Sequence, residues 1–174
     1  MELKPPENKA FTMVQLIIVI SIITAISVVI YGVIDQKRRV HEARNASRLS
    51  TVTNLANTLK KFQVDYYTNP SDFPPEDDPS KNRNSLYYMI GTCTKKATGT
   101  CKAASVSDSC LDVTKWGAGQ YVTSLPIDPL VGTTELTQYY YRQPGDGSII
   151  VGACNPEGEG ANGAGRVPKI ELRR

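Results

Sequence analysis

Apolar and charged residues fall into separate blocks along this chain. From Phe11 to Ile34 there is no charged residue, and the polar interruptions are Thr12, Gln15, Ser21, Thr24 and Ser27. As a helix this segment would extend about 36 Å, against a hydrocarbon core of about 30 Å, so it can span a bilayer. A buried core helix is disfavoured, because the rest of the chain has too little apolar surface to wrap a helix that is apolar on every side. A cleaved secretory signal fits less well, since its apolar core usually runs about 7–15 residues and no small-x-small site closes this one. The hydroxyls can bond back to their own helix carbonyls. The Gln15 amide must reach the interface or a neighbouring helix.

Beyond Asp35 the pattern becomes amphipathic. Val40, Ala43, Leu49, Val52, Ala56, Leu59, Phe62 and Tyr66 recur mostly at three- and four-residue steps and predict a buried stripe. Lys37, Arg38, Glu42, Arg44, Asn45, Arg48, Lys60 and Lys61 predict a solvated opposite face. No proline lies between Pro6 and Pro70, and Gly32 is the only glycine there, so one unbroken helix is expected through residues 11–34 and on through 35–69. It would measure roughly 85 Å. Asn69-Pro70 and the prolines up to Pro79 end it.

The remainder, residues 70–155, reads as a globular α+β head with a glycine-rich tail over 156–174. Asn84 to Ile90 suggests a short helix or turn, Gly91 to Ser109 a loop, Leu111 to Val122 a short helix, and Leu125-Pro-Ile-Asp-Pro129 a rigid turn. Gln138–Arg142 and Ser148–Gly152 are aromatic and β-branched runs around Gln-Pro-Gly-Asp-Gly, the pattern of a hairpin. Its apolar face, read as Tyr140 with Ile149 and Val151, would lie on the helical stripe from Leu49 to Tyr66 in a small antiparallel sheet. One of Tyr139, Tyr140 and Tyr141 should face opposite to the other two. Val167 to Leu172 alternates like an added edge strand.

The net charge of +3, from 20 basic and 17 acidic residues, is too mild and dispersed to indicate nucleic-acid binding. Lys37, Arg38, Arg39, Arg44 and Arg48 follow the apolar span, which by the positive-inside rule would place the head in the cytoplasm. The cysteines argue the other way. Cys93, Cys101, Cys110 and Cys154 are even in number and lack a close metal-binding knuckle, so two disulfides in an oxidising compartment are expected, preferably Cys93–Cys101 and Cys110–Cys154 among three pairings. The head is therefore expected outside the membrane it is anchored in. The single histidine, His41, is expected to face solvent, and no nucleophile–base constellation points to an enzyme. Asp72, Glu76, Asp77, Asp78, Asp128 and Asp146 read as solvated loop carboxylates. Calcium would suit the run Glu76-Asp77-Asp78, but its spacing defines no ligand set, so no metal ligand and no cofactor are assigned.

The segment Lys9-Ala-Phe-Thr-Met-Val-Gln-Leu-Ile-Ile-Val-Ile20 resembles the processing signature of type IV prepilins, and the long helix, Tyr66-Tyr67, the proline loop, Leu125–Pro129 and the Tyr139–Tyr141 hairpin resemble the major pseudopilins of type II secretion in outline. The resemblance touches most of residues 9–153. It implies a leader over 1–10 cut by a prepilin peptidase between Ala10 and Phe11, and methylation of the Phe11 amine. It also implies assembly contacts at Phe11 and Gln15, and polymerisation with like or related subunits driven by a cytoplasmic ATPase and a membrane platform protein. Before assembly the chain would be a single-pass inner-membrane protein, and afterwards part of a periplasmic or surface filament. Two positions depart from the family. The residue before the cut is usually Gly and is Ala10 here. The fifth mature residue is usually Glu, whose charge is thought to pair with the terminal amine of an adjoining subunit, and is Gln15 here. Together they give a rival expectation, a tethered extracytoplasmic binding protein that does not polymerise.

Overall fold

A computed structural model describes residues 12–66, 86–92, 94, 96–97, 99–113, 121–160 and 163–174. Helix α1 runs unbroken over Met13–Tyr66, as the lack of prolines requires, and is about 80 Å long. Ser21, Thr24 and Ser27 donate to the carbonyls of Ile17, Ile20 and Ile23, each at 2.8 Å, so these hydroxyls are satisfied within the helix.

The head is a five-stranded mixed sheet laid on the C-terminal half of α1. Its strands are β1 (Tyr87–Ile90), β2 (Val106–Leu111), β3 (Tyr139–Arg142), β4 (Ile150–Ala153) and β5 (Glu171–Arg173), in the order β2-β1-β3-β4-β5. The β3–β4 hairpin forms where the aromatic and β-branched runs predict it, with Tyr140 opposite Gly152; an edge strand is added as well, but at Glu171–Arg173, so Val167–Ile170 of the expected strand lie outside it. Two expectations are corrected. Residues 87–90 are a strand instead of a short helix or turn, and the loop assigned through Ser109 contains most of β2. Because β1 and β2 are parallel, the sheet is mixed and not purely antiparallel. A parallel pair needs a crossover, and this one sets Ala97, Cys101 and Ala104 against the sheet face opposite α1, beside Met89, Val106 and Tyr140. The short helix proposed within Leu111–Val122 lies mostly outside the described residues.

The hairpin faces are the reverse of the expectation for Tyr140. Tyr139 and Tyr141, with Ile149, Val151 and Ala153, pack with Val52, Leu55, Ala56, Leu59 and Phe62 of α1. Tyr140 is the ring that faces away, under the crossover, where its hydroxyl donates to Glu171 at 2.8 Å. A Cβ at Gly152 would run into that ring, which explains a glycine within a β-branched strand.

The cysteine pairing also differs. Cys101 is bonded to Cys154, and Cys110 is a free thiol. Cys110 neighbours Met89, which neighbours Tyr140, which neighbours Gly152. That row places Cys110 three strand spacings, about 14 Å, from the end of β4, beyond the reach of a disulfide. Cys154 instead meets the crossover, and its carbonyl accepts from the Lys102 and Ala103 amides. Cys93 lies outside the described residues. Replacing Cys101 and Cys154 together by serine is expected to lower stability by about 4 kcal/mol, the chain-entropy value for this loop, given a sequence separation of 53. An unchanged denaturant midpoint for the double variant would contradict it.

Candidate functional site

Two regions stand out: the bare stem of α1 and the base of the head where that stem emerges. In the stem, Ile17 is 58% exposed, Ile23 58% and Tyr31 77%. The best window has a mean hydropathy of 2.8 and none of it is buried within the chain. Length and composition thus suffice to cross a membrane. At its start Thr12 and Gln15 form a reciprocal cap, with the Thr12 amide donating to Gln15 Oε1 at 3.2 Å and the Gln15 amide donating to Thr12 Oγ1 at 3.3 Å. This is the Thr-x-x-Gln capping box, which satisfies orphan donors at the helix N-terminus. Gln15 therefore has an intrachain partner that its sequence reading did not supply. Ala10 and Phe11 lie outside the described residues.

At the base of the head, α1 carries a polar continuation of its buried stripe. The inward row Phe62, Leu59, Leu55, Val52 extends at the same steps to Arg48, Asn45 and His41, the first of which is fully buried and the other two partly so. Val40 and Leu49, expected to be buried, are exposed, as is Ala43. Arg48, expected on the solvated face, donates from Nε to Asp128 Oδ2 at 2.6 Å and from Nη2 to Oδ1 at 3.2 Å. Its Nη1 donates to Glu157 Oε2 and to Asn45 Oδ1, both at 2.9 Å. Asp128, read as a solvated loop acid, is buried, and its Oδ1 also accepts from the Leu130 and Val131 amides. The proline-flanked segment Leu125–Pro129 is thus a rigid mount for one carboxylate. Asn45 clamps the backbone of Glu157 from both sides, donating to its carbonyl at 2.7 Å and accepting from its amide at 3.0 Å. Arg44 binds the same carboxylate at 3.0 Å, so the glycine-rich tail is fastened to α1 at its start.

Burial would raise the Asp128 carboxyl, but the bonds from Arg48 and the two amides outweigh it and hold it below the usual value of 3.8. Glu157 behaves alike, with Arg48 and Arg44 outweighing its burial and holding it below 4.5. Because both acids are weaker proton binders in the folded chain, their stabilisation is complete above the unfolded values and is lost as pH falls through the folded ones. The melting temperature is expected to hold from pH 7 to about 5 and to drop below about pH 4. A melting temperature independent of pH down to pH 3 would contradict this coupling.

His41, expected to face solvent, is partly buried. Its Nε2 lies 3.7 Å from Glu157 Oε1, and its buried Nδ1 has no hydrogen-bond partner among the described residues. It lines an open cleft of about 880 Å³ with Lys102, Leu130, Val131, Val167 and Lys169. Asp146 stays an exposed turn acid, bonded to Ser148 and paired with Arg173. Asp72 and Glu76–Asp78 lie outside the described residues. Comparison with protein-family models, curated proteins and solved structures finds no match.

Proposed function

We propose that this chain is a structural subunit of a type IV pilus or a type II secretion-like pseudopilus, held in a membrane and then polymerised through its N-terminal helix. The observation that carries the reading is a single 54-residue helix whose first part is covered by none of the described residues and whose last part forms one side of the head core. Lipid can cover such a stem before assembly and neighbouring stems afterwards, since both are apolar surroundings. On this reading the chain is no enzyme: it is a rod with a clamped head. The cleft beside His41 favours a second reading, a tethered binding protein that never polymerises.

Electron microscopy of fibres sheared from cells, with peptide identification, separates the two. The filament reading expects this chain at stoichiometric levels with Phe11 at its terminus, and fibres lacking the chain, or carrying an intact Met1, count against it. Replacing Gln15 by Glu is expected to raise the ratio of assembled to membrane-held chain. A carboxylate keeps the capping-box geometry with Thr12 and adds a charge able to pair with a neighbour's terminal amine. An unchanged ratio would show that the missing charge does not limit assembly.

A further inference from the structure

The cleft at the base of the head combines an apolar lining with cationic groups. Leu130, Val131 and Val167 are 52%, 48% and 54% exposed, and Lys102 and Lys169 join them in the lining. The one acid there, Glu157, already meets Arg44 and Arg48, while Lys169 also bonds Glu171 at 2.9 Å. An occupant that fits is therefore a short segment with apolar, preferably rigid, residues next to carboxylates. The chain's own sequence contains one: Ser71-Asp-Phe-Pro-Pro-Glu-Asp-Asp-Pro79 carries a phenylalanine, three prolines and four acids.

It cannot bring Phe73 to the cleft of its own molecule. Phe73 is seven residues beyond Tyr66, the last residue of α1, which allows at most about 25 Å of extended chain. Arg48, which holds Asp128 two residues before Leu130, lies 18 residues before Tyr66 on the same helix, about 27 Å away, and His41 lies 25 residues before it, about 37 Å away. We infer that the cleft of one copy receives residues 71–79 of a second copy. The contact joins the top of one head to the base of another, as a filament of parallel rods requires, and so it rests on the filament reading above. The phenylalanine and prolines cover Leu130, Val131 and Val167, and the acids face Lys102 and Lys169.

A zero-length carbodiimide, which joins a carboxylate to an amine in direct contact, tests this on fibres of the full chain. One copy carries Lys102→Arg and Lys169→Arg, which keep the charge but remove the reactive amines. The other carries Asp72→Asn, Glu76→Gln, Asp77→Asn and Asp78→Asn. In fibres containing both, a link between residues 71–79 and Lys102 or Lys169 can form only between copies. Mass spectrometry is expected to find that link in mixed fibres and in fibres of the unaltered chain, and in neither singly altered fibre. Fibres of the unaltered chain without it, or with Lys102 and Lys169 joined to another protein, overturn the contact while leaving the filament reading intact. Mixed fibres that lack a link present in the unaltered fibres overturn its assignment to a second copy. An unaltered chain that forms no fibres overturns both.

Discussion

Asp128→Ala is expected to destabilise the head by about 3 kcal/mol, because it takes two charge-assisted bonds from a buried guanidinium and leaves its Nε and Nη2 donors unpaired, with only Nη1 still held by Glu157 and Asn45. The side chains of Arg48 and Asp128 are both fully buried, and the alanine also leaves the Leu130 and Val131 amides without their acceptor. Against a total stability of about 5–15 kcal/mol for an ordinary domain, this is a large fraction. The magnitude measures buried donors and amides left without acceptors and not the net worth of the pair, so the double variant Arg48→Met with Asp128→Asn should lose less than Asp128→Ala alone. Asparagine still accepts from the two amides, and Glu157 keeps Arg44. Chemical denaturation of the full chain in detergent measures both. A double variant that loses as much as Asp128→Ala, or more, would show that Arg48 and Asp128 are not coupled.

This buried pair also marks how far the sequence could be read. The three- and four-residue rhythm places Val52, Ala56, Leu59 and Phe62 in the core correctly, because apolar type and helical position agree there. Below Val52 the rhythm persists but the residue type changes, and Val40, Ala43 and Leu49 fall on the outer side while Arg48, Asn45 and His41 turn inward. Carrying the row down from Phe62 at constant steps, without regard to polarity, would have found them. What could not be read was the identity of their partners, since Asp128 and Glu157 lie 80 and 109 residues from Arg48.

The head was legible in the same uneven way. The β3–β4 hairpin is a local device, with aromatic runs around a glycine turn, and it forms as expected. The parallel pairing of β1 with β2 is not local. It depends on a crossover whose composition, rich in Thr, Gly, Ser and Lys, reads as loop. The cysteines follow the same division: spacing along the chain favours a small ring at Cys101, whereas the crossover carries Cys101 over the sheet to Cys154. Gln15 shows the converse. A departure from a family's acid can be read as a lost intermolecular charge, yet Thr-x-x-Gln is itself a helix-start signal, and the cap in the structure uses it.

The stem carries the second large effect. Ile20→Arg together with Ile23→Arg is expected to abolish both membrane retention and recovery in fibres, since each arginine near the middle of an apolar span costs about 2.5–3.5 kcal/mol, or about 5–7 for the pair. Those side chains are 53% and 58% exposed and belong to neither core cluster of the head. Val52, where the head core begins, lies about 44 Å beyond Ile23 along α1, so the unfolding midpoint of the head should not move. That separation makes the variant diagnostic. A general folding defect would shift the midpoint, whereas loss of an apolar environment would not. Ile20→Leu with Ile23→Leu, which keeps the apolar surface, should remain in membranes and fibres at the level of the unaltered chain. Full retention of the double arginine chain in both fractions would mean that neither lipid nor neighbouring stems cover this face, and the filament reading would fail with it. Retention in membranes but not in fibres would place the demand for an uncharged surface on helix-to-helix packing, where a guanidinium has neither lipid headgroup nor water within reach.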